Sequence, residues 1–197
     1  RSSAASDVYK RQLIKGIAKE HFEPLSHNEE KVKIVNMKKN DLFSIIEHVS
    51  YEQYENVISN TCINDCNEYK QNLLHEAIAC CRNDIATNLI NRNNINQQDY
   101  KGETPLHYCA AYFNLEIAEL LLQKKAQINI IDKYGNNPLW VAVFNAHGDY
   151  RMVKLFLKYN ANIQNKNRAN RSPLDFAKQI NDLDLVNILL HERSNNS

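Results

Sequence analysis

Seven histidines and five cysteines are the side chains through which this chain could do chemistry. Cys62 and Cys66 have the spacing of half a metal site, which His75 or the Cys80 and Cys81 pair would have to complete. No second well-spaced Cys or His pair follows, so no metal ligands are expected. His75 and His107 occupy the same place in two similar segments, Asn72-Leu73-Leu74-His75 and Thr104-Pro105-Leu106-His107. A recurring position is one the architecture needs, and a structural role is expected for both. His147 and Asp149 lie in Ala146-His147-Gly148-Asp149-Tyr150, expected to be an exposed helix–helix loop or a knuckle that touches a partner. Neither a Ser–His–Asp order nor a Gly-rich phosphate loop stands out. The expectation is a protein with no catalytic residues and no cofactor.

The elements that position these side chains must come from 197 residues, enough for one large domain or a small one with appendages. Hydrophobic residues at 43% and charged residues at 24% support a packed core. No apolar run exceeds six residues, which argues against a membrane-spanning helix. A net charge of +1 is too low for binding driven by bulk attraction to nucleic-acid phosphates. The odd cysteine count and the lack of a recognisable secretion signal set the expectation of a reduced, cytoplasmic compartment. Residues 1–12 show no hydrophobic period and resemble translated assembly read-through, so they are set aside as non-native and expected to be disordered. On that reading the true start is missing or is Met37. Residues 13–37 receive no assignment, and 193–197 are expected to be a disordered tail.

A period of about 33 residues organises the rest. The two His segments continue in Asn137-Pro138-Leu139-Trp140 and Ser172-Pro173-Leu174-Asp175, with spacings of 32, 33 and 35 between second positions. Asn, Thr and Ser are favoured N-caps, and Pro is tolerated at the first helical position because its missing N–H would be unpaired there. Each segment therefore starts a helix. Upstream, Asp99 to Gly102 and Asp132 to Gly135 have the residues of type I turns, and Asn67 to Lys70 and Asn167 to Asn170 are looser versions. Downstream, Ala and Cys109 allow close helix approach. A second helix follows each time, with apolar residues such as Ile117, Ala118, Leu121 and Leu122 on one face, and with Asn83, Asn114, Asp149 and Asn181 placed to cap. Further upstream, Leu42, Phe43, Ile45, Ile46 and Val49 form a helical stripe, and Ser50 to Gln53 reads as a capping box.

The unit of turn, Thr-Pro-Leu-His, two helices and Ala-x-Ile-Asn resembles the ankyrin repeat. The resemblance covers residues 67–192 as four repeats, 67–98, 99–131, 132–166 and 167–192. It departs from the pattern at Trp140 and Asp175, which stand where the family has His, and at Asn93, Lys125 and Asn160, which replace the glycine ending the second helix. It implies an all-α solenoid of four helix–turn–helix repeats, closed at its N-terminal end by divergent capping helices within 38–66.

The resemblance also implies that contacts come from the repeat tips and the exposed side of the first helices. Here those residues are Glu68, Tyr69, Gln71, Tyr100, Lys101, Glu103, Tyr112, Lys133, Tyr134, Asn136, Phe144, Asn145, Arg168 and Arg171. Tyr and Arg are enriched at binding hot spots, which points to a protein partner. Charge is segregated: residues 40–69 hold six carboxylates and no Lys or Arg, while 150–174 hold six cations and no carboxylate. An acidic end, a basic end and weak head-to-tail self-association of a monomer are expected. The resulting expectation is a non-enzymatic protein-binding module, with no nucleic-acid or membrane partner. Its resemblance to short bacterial proteins of this type implies an immunity or inhibitor role. The alternatives are a host-directed effector or scaffold, or the repeat portion of a larger truncated enzyme.

Overall fold

A computed structural model describes residue 43, residues 46–58 and residues 66–191. The expectations for residues 1–37, for Leu42, Ile45 and Cys62, and for 193–197 lie outside the described residues. Among those described, the regular elements are helices: α1 (Tyr51–Ile58), α2 (Leu73–Ala79), α3 (Asn83–Ile90), α4 (Pro105–Tyr112), α5 (Leu115–Gln123), α6 (Pro138–Phe144), α7 (Arg151–Lys158), α8 (Pro173–Gln179) and α9 (Leu183–His191). None is long and apolar enough to cross a membrane.

The helix starts obey local chemistry. Asn72, Thr104, Asn137 and Ser172 hold extended backbone at the N-caps, and Pro105, Pro138 and Pro173 occupy the first helical positions. All four caps are buried. The Asn72 and Asn137 amides also donate to the carbonyls of Asn94 and Asn162, tying each helix start to the chain that returns from its own second helix. The first helices α2, α4, α6 and α8 pack side by side in one row. In the other row α1, α3, α5 and α7 follow each other, and each second helix packs on its own first helix. The result is the expected all-α solenoid.

The core is continuous through the stack. Leu74, Leu106, Leu139 and Leu174, one from each repeat, are buried, as are Ala77, Ala110, Ala142 and Ala177. Cys109 is fully buried among them, and burial pushes its thiol above the ordinary range, so it acts as a compact apolar residue. At the N-terminal side Ser50 and Gln53 form the expected capping box, each side chain meeting the other's backbone N–H at 3.1 and 2.7 Å. The helix it opens is pinned to α3 by Tyr54, whose hydroxyl donates to Asn88 at 3.0 Å. Arg82 donates to the carbonyls of Ile46 and Val49 at 2.8 and 2.7 Å.

Three local expectations are corrected. The turns at Asn67 and Asn167 are not looser than those at Asp99 and Asp132. All four close with a bond from the first-residue N–H to the fifth-residue carbonyl. Asn offers the same Oδ1 acceptor as Asp, and Lys70 and Asn170 adopt the left-handed conformation that Gly102 and Gly135 supply elsewhere. Asn83 does not cap α3: it is the first helical residue, and its side chain instead bonds Asn114 and Glu116 of the next repeat. Asn181 yields the capping role to Asp182, whose carboxylate accepts from the Leu185 N–H at 3.0 Å. At the second-helix ends, Lys125 and Asn160 are left-handed, whereas Asn93 is not.

Candidate functional site

Each tip is a five-residue turn held by one side-chain acceptor. The Oδ1 atoms of Asn67, Asp99, Asp132 and Asn167 accept the backbone N–H groups two and four residues on, at 2.8 to 3.1 Å. The tips are then joined to one another through main chain. Tyr100 N–H donates to Tyr69 carbonyl, Lys133 to Lys101 and Arg168 to Tyr134, each at 2.8 Å. Gly102 and Gly135 permit this: with φ of +81°, a Cβ on either would come within 3.0 Å of the next tip's backbone. The tips therefore form one hydrogen-bonded ridge.

Beneath the ridge the histidines act as struts. His75 Nδ1 accepts the Asn72 N–H at 3.1 Å, and His107 Nδ1 accepts that of Thr104 at 3.0 Å. Nδ1 also lies 2.6 Å from Asn72 Oδ1 in His75 and 2.8 Å from Thr104 Oγ1 in His107, and Nε2 faces the carbonyl of the next tip, Glu103 at 3.3 Å and Asn136 at 3.1 Å. Burial holds the His75 imidazole down at about 4, against the pull of Asp99, and lowers His107 for the same reason. Trp140 takes the strut position in the third repeat but packs instead, against Phe144 and Phe176 with 5.5 Å between ring centroids. Asp175 takes it in the fourth and, among the described residues, bonds its own cap residue, Ser172. Both histidines are neutral structural groups. Among the described residues no His, Cys, Asp and Glu gather in a metal-holding group.

The residues expected to meet a partner divide into two sets. Glu68, Tyr69, Tyr100, Lys133, Tyr134, Arg168 and Arg171 are exposed, with Tyr69, Tyr100 and Tyr134 at 50%, 44% and 59%. The Tyr69 and Tyr100 rings pair at 5.9 Å, and the ammonium groups of Lys101 and Lys133 lie 6.0 and 5.8 Å from the Tyr100 ring. The others are half-buried and largely engaged within the fold. Gln71 donates to the Tyr108 hydroxyl, which donates to Asp99 at 3.1 Å. Asn136 bridges Asp132 and Asn167 across two tips. Tyr112 stacks on Tyr108, Phe144 joins the Trp140 cluster, and Asn145 bonds the Val141 carbonyl. Glu103 sits where Gln71 and Asn136 sit in their tips. Burial pushes its carboxyl up to about 7, Asp99 and Asp132 add to the rise, and Lys101 opposes it. Tyr108 and Asp99 were missed as parts of this network. Tyr108 lies in the middle of α4, five residues after the tip that ends at Glu103, so nothing in the sequence aims its hydroxyl at a tip.

The loop from Ala146 to Tyr150 is a turn with His147 and Gly148 at positive φ, and His147 is exposed. With the end of α4 it walls an open cleft of about 390 Å³ lined by Ala110, Ala111, Phe113, Asn145, His147 and Asp149. Asp149 is paired with Arg151 at 2.6 Å. Of the charge blocks, Glu47, Glu52, Glu55 and Glu68 are exposed, while Asp41 and Asp65 lie outside the described residues. Arg151, Lys154, Lys158, Lys166, Arg168 and Arg171 are all exposed.

The model of the family described as "Ankyrin repeats (3 copies)" matches residues 42–132, 74–167 and 110–197. The NF-kappa-B p105 subunit of Gallus gallus is 34% identical over 95 residues, 45% of this chain and 10% of that protein. An ankyrin repeat protein of Acanthamoeba polyphaga mimivirus is 32% identical over 107 residues, 54% of this chain and 14% of its own length. One from fowlpox virus is 36% identical over 69 residues, 35% of this chain and 34% of its own length. The matched segments thus span between 10% and 34% of these relatives.

Proposed function

The chain belongs to the ankyrin-repeat family, and we propose that it is a non-enzymatic module that binds a protein partner along its ridge of tips. The observation that carries this reading is the row of exposed tyrosines, Tyr69, Tyr100 and Tyr134, held on a backbone that is hydrogen-bonded from tip to tip. A rigid ridge loses little entropy on docking, and Tyr supplies large contact area with few rotors. Tyr112, Phe144 and Asn145 on the first-helix side widen the same face. An inhibitor of a toxin or enzyme is the finer form of the reading, because a rigid surface can block an active-site rim without chemistry of its own. Effector or scaffold action is the alternative, and an assay of the captured partner's activity separates them.

The test is affinity capture with the chain and with a Tyr100→Ala/Tyr134→Ala variant. The variant is expected to lose the partner and to keep its melting temperature, since both rings are exposed. Equal capture by both proteins would move the binding face elsewhere. A second reading follows from the small share of each relative that is matched: the repeats are the docking part of a longer scaffold or enzyme. Sequencing the intact transcript tests it.

A further inference from the structure

We propose that the third and fourth tips take a short acidic segment of the partner protein. The inference rests on the ridge being the docking face, and it adds the partner's charge and the half of the ridge that receives it.

The exposed charge on this half is of one sign. Lys133 in the third tip, Arg168 and Arg171 in the fourth, and Lys166 just before it are all exposed. Among the described residues none of the four is in an ion pair. Asp132 is the one carboxylate in the two tips. It is buried, and its oxygens accept the Tyr134 and Asn136 N–H groups and the Asn136 amide. Below the fourth tip, the exposed Asp175 carboxyl is held low by the Ser172 N–H, with Lys166 and Lys178 adding to the effect. Both acids near the cations are thus already bonded to the fold.

Main-chain bonds gather the cations into one patch. Arg168 N–H donates to the Tyr134 carbonyl at 2.8 Å, which sets Arg168 beside the residue that follows Lys133. Asn167 N–H donates to the Arg171 carbonyl at 3.0 Å, so Arg171 flanks the same turn, and Lys166 precedes the bonded Asn167. Gly135 lets the two tips come this close, since an added Cβ would lie 3.0 Å from Asn167 Cα. Like charges held on one piece of fixed backbone repel one another, and an acidic ligand relieves that repulsion.

The other half of the ridge is mixed. Glu68 and Lys70 are exposed on the first tip, and Lys101 and Glu103 are both half-buried on the second. A long polyanion laid along the ridge would run off the patch and meet Glu68, whereas a short acidic segment stays on it. The net charge of +1 also argues against a nucleic acid. Ile131 and Tyr134 stand exposed beside the cations and offer apolar contact to a peptide's side chains.

The experiment uses the full chain and a labelled Glu-Glu-Leu-Glu-Glu peptide, with Lys-Lys-Leu-Lys-Lys and single-stranded oligo(dT) for comparison. The acidic peptide is expected to saturate the chain below about 1 mM and to bind more weakly as salt is raised. Lys133→Glu/Arg168→Glu should weaken it at least about ten-fold, while Lys154→Glu/Lys158→Glu, the same change in net charge placed on α7, should weaken it less than about three-fold. Melting temperatures of the two variants check that each is folded. Equal weakening by both would show bulk charge, and tighter binding of oligo(dT) would show a nucleic-acid surface; either overturns the proposal. So would equal binding of the basic peptide, or no saturation by about 1 mM. If the acidic peptide fails while partner capture still depends on Tyr100 and Tyr134, the partner's charge is wrong and the docking ridge stands.

Discussion

Glu103 and the strut histidines pull stability in opposite directions across the same pH range. The Glu103 carboxyl titrates near 7 in the folded chain, against about 4.3 for a free Glu, so the native state holds a proton that the unfolded state has released. Stability from this group is lost as pH rises from about 4.3 to about 7. His75 is held near 4 against about 6.5 unfolded, so stability is lost as pH falls through that window. His107 acts in the same direction. Glu103→Gln removes the first effect and leaves the second. The variant should be more stable than the parent at pH 8 by on the order of 1–2 kcal/mol, after discount for the carboxyl's contact with water. Near pH 4.5 the gain should vanish, and between pH 7 and 5 the variant should lose stability more steeply than the parent. Urea unfolding across this range measures it, and a difference independent of pH would show that Glu103 is not held protonated. That His75 and His107 are structural was legible because position and residue type recur together, and their strut role followed from the family resemblance. The inward turn of Gln71, Glu103 and Asn136 was not, because a polar residue in a turn reads as exposed unless its neighbour's acceptor is known.

At the scale of elements, the same left-handed conformation is filled in two ways. Gly102 and Gly135 take it at the tips with the next tip's backbone 3.0 Å from any added Cβ. Lys125 takes it at φ 64° after α5, where its side chain is exposed. Left-handed backbone costs an L-residue roughly 1–2 kcal/mol, and glycine avoids that at some cost in unfolded-chain entropy. Lys125→Gly should therefore stabilise by up to about 1 kcal/mol. Gly135→Ala should destabilise by about 1–3 kcal/mol, since strain and a backbone clash add. Chemical denaturation of the two variants reads both signs, and two losses of similar size would mean that Lys125 packs better than its exposure shows. The helices themselves were open to sequence reasoning, since a capping residue marks each first-helix start, with Pro after it in three of the four repeats, and the i, i+4 apolar pattern marks each face. Their second caps were not: Asn83 and Asn181 look like caps, but each neighbour decides which residue is left to bond. Asn114 keeps the cap of α5 and donates its amide to Asn83, which is thereby drawn across to the adjoining repeat.

At the scale of the described stack, stability is a sum of repeats and the contacts between neighbours. The period of 33 makes this visible in the sequence, while the bonds that join tip to tip are not, because they run between main-chain atoms. The stack is not uniform. Helix α4 packs between α2 and α6, so the second repeat leans on both sides. The fourth repeat is held to the third by the Trp140, Phe144 and Phe176 cluster and by Tyr150 donating to Asp182 at 2.9 Å. Its strut position is Asp175, and Ile180, Leu183 and Leu190 stand exposed on it. It should open first. Leu106 and Leu189 are both buried, and truncating either to Ala costs about 2–5 kcal/mol locally. What differs is where the loss is felt. Leu106→Ala should weaken contacts on both sides of the second repeat and lower amide protection throughout residues 104–157. Leu189→Ala should speed exchange in α8 and α9 while α4 and α5 keep their protection, because opening the fourth repeat leaves the second repeat's two neighbours in place. Native-state hydrogen exchange on the two variants distinguishes them. If Leu189→Ala lowered protection equally in all repeats, the stack would be opening as one cooperative body and not repeat by repeat.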